Sequence, residues 1–332
     1  MSTRNVTFAP TFLFGMERSG TTLLSMMVGA HPEIAVPLAT TGMWVRFGQQ
    51  LATYGKLETK EQLINLTDDI LGHERITLWD AELDRERVLG DLPLGDFGAV
   101  ICRVQAEYAR QKDKAHWANI DIATLDHMDL INQWVPDARF VHIVRDGRDV
   151  ALSHQTMPYG AGNIAECARA WMTRVGTSVK MGRILGPDRY HVLRFEDLVL
   201  DSEETLTKLC GYLGVAFDPS MLRYAEMVGE KIPDSRRWLW PAISKPPQDT
   251  KVGRWRHAMS RRQRIVFEDA AGDILREWRY ETFQPLPKSL SAHFLGLWYF
   301  LTQGGRLGRL RRRFGLGRES LLQRTAKKQG RE

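Results

Sequence analysis

Residues 11–30 read Thr11-Phe-Leu-Phe-Gly15-Met-Glu-Arg-Ser-Gly20-Thr-Thr-Leu-Leu-Ser-Met-Met-Val-Gly-Ala30. Thr11–Gly15 is a short apolar run stopped by glycine, the pattern of a buried strand. Gly20–Ala30 places Leu23, Leu24, Met27 and Val28 on one face of a helix. Between them, glycines five residues apart let the backbone curl so that successive N–H groups point inward. The helix N-terminus adds positive potential. Such a loop suits a phosphate or a similar tetrahedral anion. The spacing is that of a phosphate loop, with Thr21 in the lysine position and Arg18 as the cation inside the loop. Thr21 and Thr22 add hydroxyl donors. The competing reading is an ordinary strand–turn–helix that happens to carry a basic residue.

The same alternation continues along the chain. Trp117–Ile122, Arg139–Arg145 and Tyr190–Arg194 read as strands. Residues 146–154 and 163–185 read as helices, the second with Ile164, Ala168, Trp171, Val175 and Val179 at helical spacing. Asp201 with Glu204, and Ser260 with Gln263, have the spacing of capping boxes opening two more. Strands separated by helices need crossover connections. The expected class is therefore α/β: a P-loop-type, mainly parallel sheet covered by helices on both faces. Residues 1–285 are expected to form one domain, with residues 40–100 as a helical lid over the acceptor. Trp44, Phe47, Tyr54 and Trp79 are expected to be exposed in that lid. Residues 286–332 form an apolar segment and a basic tail.

Composition narrows the classes. A chain of 332 residues that is 43% hydrophobic and 26% charged is an ordinary globular mix. Cys102, Cys167 and Cys210 form no pair at metal or disulfide spacing, which favours a reducing compartment and a cytoplasmic protein. The start carries no leader-like apolar run. The net charge of +6 is uneven. Residues 304–332 hold ten Lys/Arg against Glu319 and Glu332, a net +8, so residues 1–303 carry −2. Leu290–Thr302 followed by an arginine-rich stretch suits an interfacial helix anchored on anionic lipid. No aromatic stacking platform accompanies the arginines, so no specific nucleic acid is expected.

Two further segments suit anions. In Arg145-Asp-Gly-Arg-Asp-Val-Ala-Leu-Ser153, an arginine stands at the carboxyl end of a buried strand, where ligands of open α/β sheets bind. A planar guanidinium with a hydroxyl two helical turns later suits a phosphate monoester. The alternative is a salt bridge from Arg145 to Asp146 or Asp149. Lys251-Val-Gly253-Arg254-Trp-Arg256 sets a glycine among cations and reads either as a phosphate-binding loop or as a solvated basic turn.

Together these segments resemble the sulfotransferase family that uses 3′-phosphoadenosine 5′-phosphosulfate (PAPS), in its bacterial branch, which itself is similar to the tyrosylprotein sulfotransferases. The resemblance rests on RSGTTLL (18–24), HPEIAVP (31–37), PDARFVHIVRDGRDVALS (136–153), RYHVLRFEDLV (189–199) and VGRW (252–255). It implies that Arg18, Ser19, Gly20, Thr21 and Thr22 cradle the 5′-phosphosulfate. Arg145 and Ser153 would hold the 3′-phosphate, while Lys251, Gly253 and Arg254 would close over the nucleotide. Phe195 stands where relatives often carry a tyrosine near the adenine. The implied reaction moves a sulfuryl group to an acceptor hydroxyl or amine (glycan, lipid, peptide or small metabolite), releases adenosine 3′,5′-bisphosphate and needs no metal.

The chain departs from that pattern at two catalytic positions. Ala39 stands where relatives carry a glutamate base, and Ile120 where they carry a lysine facing the leaving group. Asp121 is the substitute base, in competition with an ordinary role as the N-cap of a following helix. As a base it would be ionised at neutral pH, with an unperturbed pKa of about 3.9. Glu17, His31, His127 and His154 are weaker rivals. A non-catalytic nucleotide-binding relative and a P-loop small-molecule kinase are the alternative functions.

Overall fold

The computed structural model describes residues 8–37, 42–157, 163–226 and 249–283. Ala39 and the tail with its expected membrane hold lie outside the described residues.

Contacts divide the chain into two compact units: residues 1–145 with 174–252, and residues 146–173 with 253–332. The first unit contains the sheet. Its strands are β1 (Thr11–Phe14), β2 (Ile34–Ala35), β3 (His116–Ile120), β4 (Arg139–Val144) and β5 (Tyr190–Arg194). They lie in the order β2-β3-β1-β4-β5, and every pairing is parallel. Three of the four expected strands keep their position within a residue, and Trp117–Ile122 shifts to His116–Ile120. Strand β2 is an addition: two residues of the HPEIAVP stretch pair with His116 and Trp117. Its apolar run is too short to register as a strand by periodicity.

Helix α1 (Thr21–Ala30) returns from β1 and packs its apolar face on the sheet. The core beneath it joins Leu13, Leu24, Met27, Val28, Ile120, Ile143 and Phe195. Between β2 and β3 run α2 (Met43–Gln49), α3 (Lys60–Leu71), α4 (Arg85–Leu89) and α5 (Phe97–Gln111). The insertion is helical, but three of the four aromatics expected to be exposed are buried. Trp44, Phe47 and Trp79 are buried and Tyr54 is half-buried. Trp44 Nε1 donates to Asn119 Oδ1 of β3 at 3.1 Å, and Trp79 meets Tyr108 edge to face. Wide aromatic surfaces gain more from packing than a sequence without tertiary context can show.

The sheet is completed by α6 (Thr124–Trp134), α9 (Phe195–Leu200) and α10 (Ser202–Leu213). The capping box expected at Asp201 does not form. Asp201 also closes α9, with its N–H bonded to Asp197, and its side chain caps nothing. Glu204 pairs instead with Lys208 at 2.6 Å. The long helix α8 is Ile164–Leu185.

The second unit holds α7 (Gly147–His154), α11 (Trp255–Ala258) and α12 (Arg261–Glu277). Here the Ser260–Gln263 capping box is complete in both directions. Phe267 and Trp171 pack together in this unit, with ring centroids 6.1 Å apart.

Candidate functional site

The loop from Gly15 to Gly20 leaves β1 at the carboxyl edge of the sheet and enters α1. Gly20 has φ +95°, and a Cβ there would stand 2.4 Å from the Phe195 ring, so only glycine fits. Arg18 adopts φ +70° without being glycine. That conformation costs roughly 1–2 kcal/mol and is found where surrounding structure imposes it, often at ligand-binding loops. Helix α1 opens without a side-chain cap and without an acidic residue in its first turn. Its leading N–H groups and dipole therefore favour an anion there. Ser19 and Thr21 are buried in the loop, Thr22 is half-buried, and the Arg18 side chain is exposed. Glu17, whose charge would oppose an anion, pairs with Arg174 at 2.6 Å, and Arg174 also grips Asp126.

Arg145 follows β4 and is buried. Its Nη1 donates to the Arg18 carbonyl at 2.9 Å, and its Nη2 donates to the Lys251 carbonyl at 2.6 Å. The guanidinium lies 4.4 Å from the centroid of the Phe195 ring. One side chain thus ties the glycine loop to the turn at Asp249–Lys251, over an aromatic floor that also abuts Gly20. These residues were expected around one ligand; Arg145 joins Arg18 to Lys251 over the Phe195 ring, and Gly20 abuts the same ring.

Ser153, also buried, belongs to α7 in the second unit. In that unit Arg148, which sequence reading passed over, is fully buried. It makes two bonds to Asp146, at 3.0 and 2.7 Å, and one to Glu268 at 2.7 Å. Its guanidinium stacks 3.4 Å from the Trp255 ring centroid. Burial pushes the Glu268 carboxyl above its ordinary range, against the pull of Arg148. Asp149 is also buried and accepts backbone N–H groups from Gly253 and Trp255. The clustered charges of Arg145–Asp149 were the available signal for these roles.

Asp121 follows β3 and has no exposed surface. Its Oδ1 accepts the N–H of Gly42 at 2.7 Å and of Ala123 at 2.8 Å. Its Oδ2 is buried and finds no hydrogen-bond partner among the described residues. Two expectations change. The N-cap of α6 is Ala123, so Asp121 braces the turn before the helix rather than capping it. The carboxyl is also not an ordinary acid, because burial pushes its pKa up to about 7. Ile120 is built into the core with Leu13 and Ile143, and offers no charge.

His31 is occupied structurally: Nδ1 accepts the Glu33 N–H, and Nε2 bonds the Ala216 carbonyl at 2.8 Å. Among the described residues no group of three or more His, Cys, Asp or Glu could hold a metal ion, and no helix is long and apolar enough to cross a membrane.

Similar proteins give this geometry a family. A protein-tyrosine sulfotransferase of Drosophila melanogaster is 25% identical over 226 residues, 66% of this chain and 40% of that protein. Protein-tyrosine sulfotransferase 2 of Gallus gallus is 25% identical over 224 residues, 66% of this chain and 54% of that protein. The chain thus spans about half the length of the curated relatives it matches. Among solved structures, the sulfotransferase domain from the curacin biosynthetic pathway shares the fold, with a TM-score of 0.56 at 16% identity over 83% of this chain and 99% of that one. The model of the sulfotransferase family matches residues 10–219, spanning all five strands and the loop from Gly15 to Gly20. The chain belongs to the sulfotransferase family.

Proposed function

We propose that the protein is an active sulfotransferase that takes a sulfuryl group from PAPS and passes it to a hydroxyl or amine of its acceptor. The observation that supports this most is the anion loop: Arg18 and Gly20 in left-handed backbone, an uncapped α1, and the Arg145 guanidinium tied to the loop over Phe195. In this reading Arg18, Ser19, Gly20, Thr21 and Thr22 hold the 5′-phosphosulfate through backbone N–H groups, hydroxyls and one guanidinium. Arg145 and Ser153 hold the 3′-phosphate, with Phe195 beneath the adenine. Lys251, Gly253 and Arg254 cover the nucleotide. Positioning and electrostatic stabilisation carry the transfer, as in phosphoryl transfer.

The acceptor proton goes to Asp121. Its Oδ1 is committed to two N–H donors, so Oδ2 is the oxygen left to take the proton. A carboxyl with a pKa near 7 is matched to general-base work at neutral pH. With Asp121 as base, turnover rises with pH through about 7 as the carboxylate forms.

The nucleotide assignment is tested by ligand-induced stabilisation. Adenosine 3′,5′-bisphosphate should raise the melting temperature well above the effect of ATP at equal concentration, because only the former carries a 3′-phosphate. Arg145→Ala should weaken bisphosphate binding at least tenfold, as a charge-assisted hydrogen bond is worth roughly 1.5–3 kcal/mol. Equal stabilisation by the two nucleotides would remove PAPS from the account.

Transfer should also persist in excess EDTA, since Arg18 supplies the loop's cation where a kinase-type loop uses lysine with magnesium. Activity abolished by chelator and restored by magnesium would favour the kinase alternative.

A further inference from the structure

The loop after Lys251 is held from a distance. Asp149, in the first turn of α7, is 1% exposed. Its Oδ2 accepts the Gly253 N–H and its Oδ1 accepts the Trp255 N–H, both at 2.8 Å. Between these two fixed points stands Arg254, whose side chain is exposed. Gly253 takes φ +67°, a left-handed turn that lets the backbone present alternate N–H groups to one carboxylate. On the far side of the anchor, the Arg148 guanidinium covers the Trp255 ring. The carboxylate spends both oxygens on the backbone that flanks a cation. Ionised acceptors make hydrogen bonds about twice as strong as neutral ones.

We propose that Asp149 is a positioning residue for donor binding: it fixes the backbone on both sides of Arg254 and so presents that guanidinium to the nucleotide phosphates. The proposal rests on the reading of residues 251–254 as nucleotide-binding. A loop ordered before the ligand arrives loses less conformational entropy on binding. Asp149 therefore contributes to affinity without touching the nucleotide.

The test is a double-mutant cycle on the full chain, read as the dissociation constant for adenosine 3′,5′-bisphosphate by calorimetry. Asn at position 149 keeps the shape but has one acceptor oxygen, and it turns an amide donor toward the second N–H. Asp149→Asn is expected to weaken binding roughly tenfold. Arg254→Ala is expected to weaken it comparably. The double variant should bind no more weakly than Arg254→Ala alone, because Asp149 acts through Arg254. A purely structural role would leave the two losses additive, and additivity overturns the proposal. Unchanged affinity in Asp149→Asn beside a weakened Arg254→Ala also overturns it, while leaving the nucleotide reading intact. Unchanged affinity in Arg254→Ala overturns both together. If Asp149→Asn does not fold, Gly253→Ala strains the same clamp from the loop side. Its expected loss of affinity should vanish in the Arg254→Ala background, and wild-type affinity in Gly253→Ala rejects the clamp.

Discussion

Asp121→Asn is expected to reduce turnover about 10²–10⁴-fold, the range general-base catalysis supplies, and at the same time to stabilise the protein above pH 7. The second effect follows from burial. The carboxyl titrates near 7 in the folded chain and near 4 when unfolded, so between those values the folded state binds the extra proton. Stability from this group is complete below pH 4, falls as pH rises and is lost once pH passes about 7. A raised pKa of this size corresponds to a few kcal/mol, on the order of 1.4 kcal/mol per unit. Asparagine never ionises and its oxygen still accepts the Gly42 and Ala123 N–H groups. The melting temperature of the variant should therefore exceed that of the wild type by a margin that widens from pH 4 to pH 8. Melting curves across that range, with donor hydrolysis as the activity readout until an acceptor is found, decide the matter. A stabilised variant with full turnover would make Asp121 a buried brace and nothing more. If, further, Ala39→Glu created activity in an inert wild type, the non-catalytic alternative would gain.

Arg148→Met is expected to destabilise the protein by about 3–5 kcal/mol, the cost of breaking a buried ion pair from one side. Arg148 is fully buried between Asp146 and Glu268, and both carboxyls are nearly so. Removing the guanidinium takes away the cation that bridges two buried acids, and also uncovers the Trp255 ring. The loss should shrink as pH falls, because burial already pushes Glu268 toward its protonated form. Adding Glu268→Gln should recover part of it at neutral pH. Lysine at 148 cannot reproduce a fork that meets Asp146 on two nitrogens while reaching Glu268 with a third. Urea denaturation of the three variants checks this, and a loss under about 1 kcal/mol for Arg148→Met, the scale of an exposed pair, would show the network to be incidental.

Much of the fold was legible because its signals are local. Each strand except the two-residue β2 is a short apolar run with its own boundary residues, and the intervening helices carry their own periodicity, so the parallel arrangement followed from connection lengths. The glycine loop was equally legible, since its two glycines and the helix after them lie between Gly15 and Ala30. The Ser260–Gln263 box formed as written because both partners lie within one helical turn. The Asp201–Glu204 box, of equal quality as a pattern, failed because Asp201 was already the end of another helix.

The sequence by itself determined where four of the five strands fall, that they are parallel, and that a glycine loop opens the first helix. Tertiary structure alone decided what the ionisable side chains became. Asp121 acquired its raised pKa from burial, against the pull of the N–H of Gly42, 79 residues away. Asp149 found its backbone partners 104 and 106 residues on, and Arg148 found Glu268 at a separation of 120. Strand and helix formation depend on neighbours within a few residues. The protonation and pairing of a charged group depend on how much water remains around it, and only the folded chain sets that.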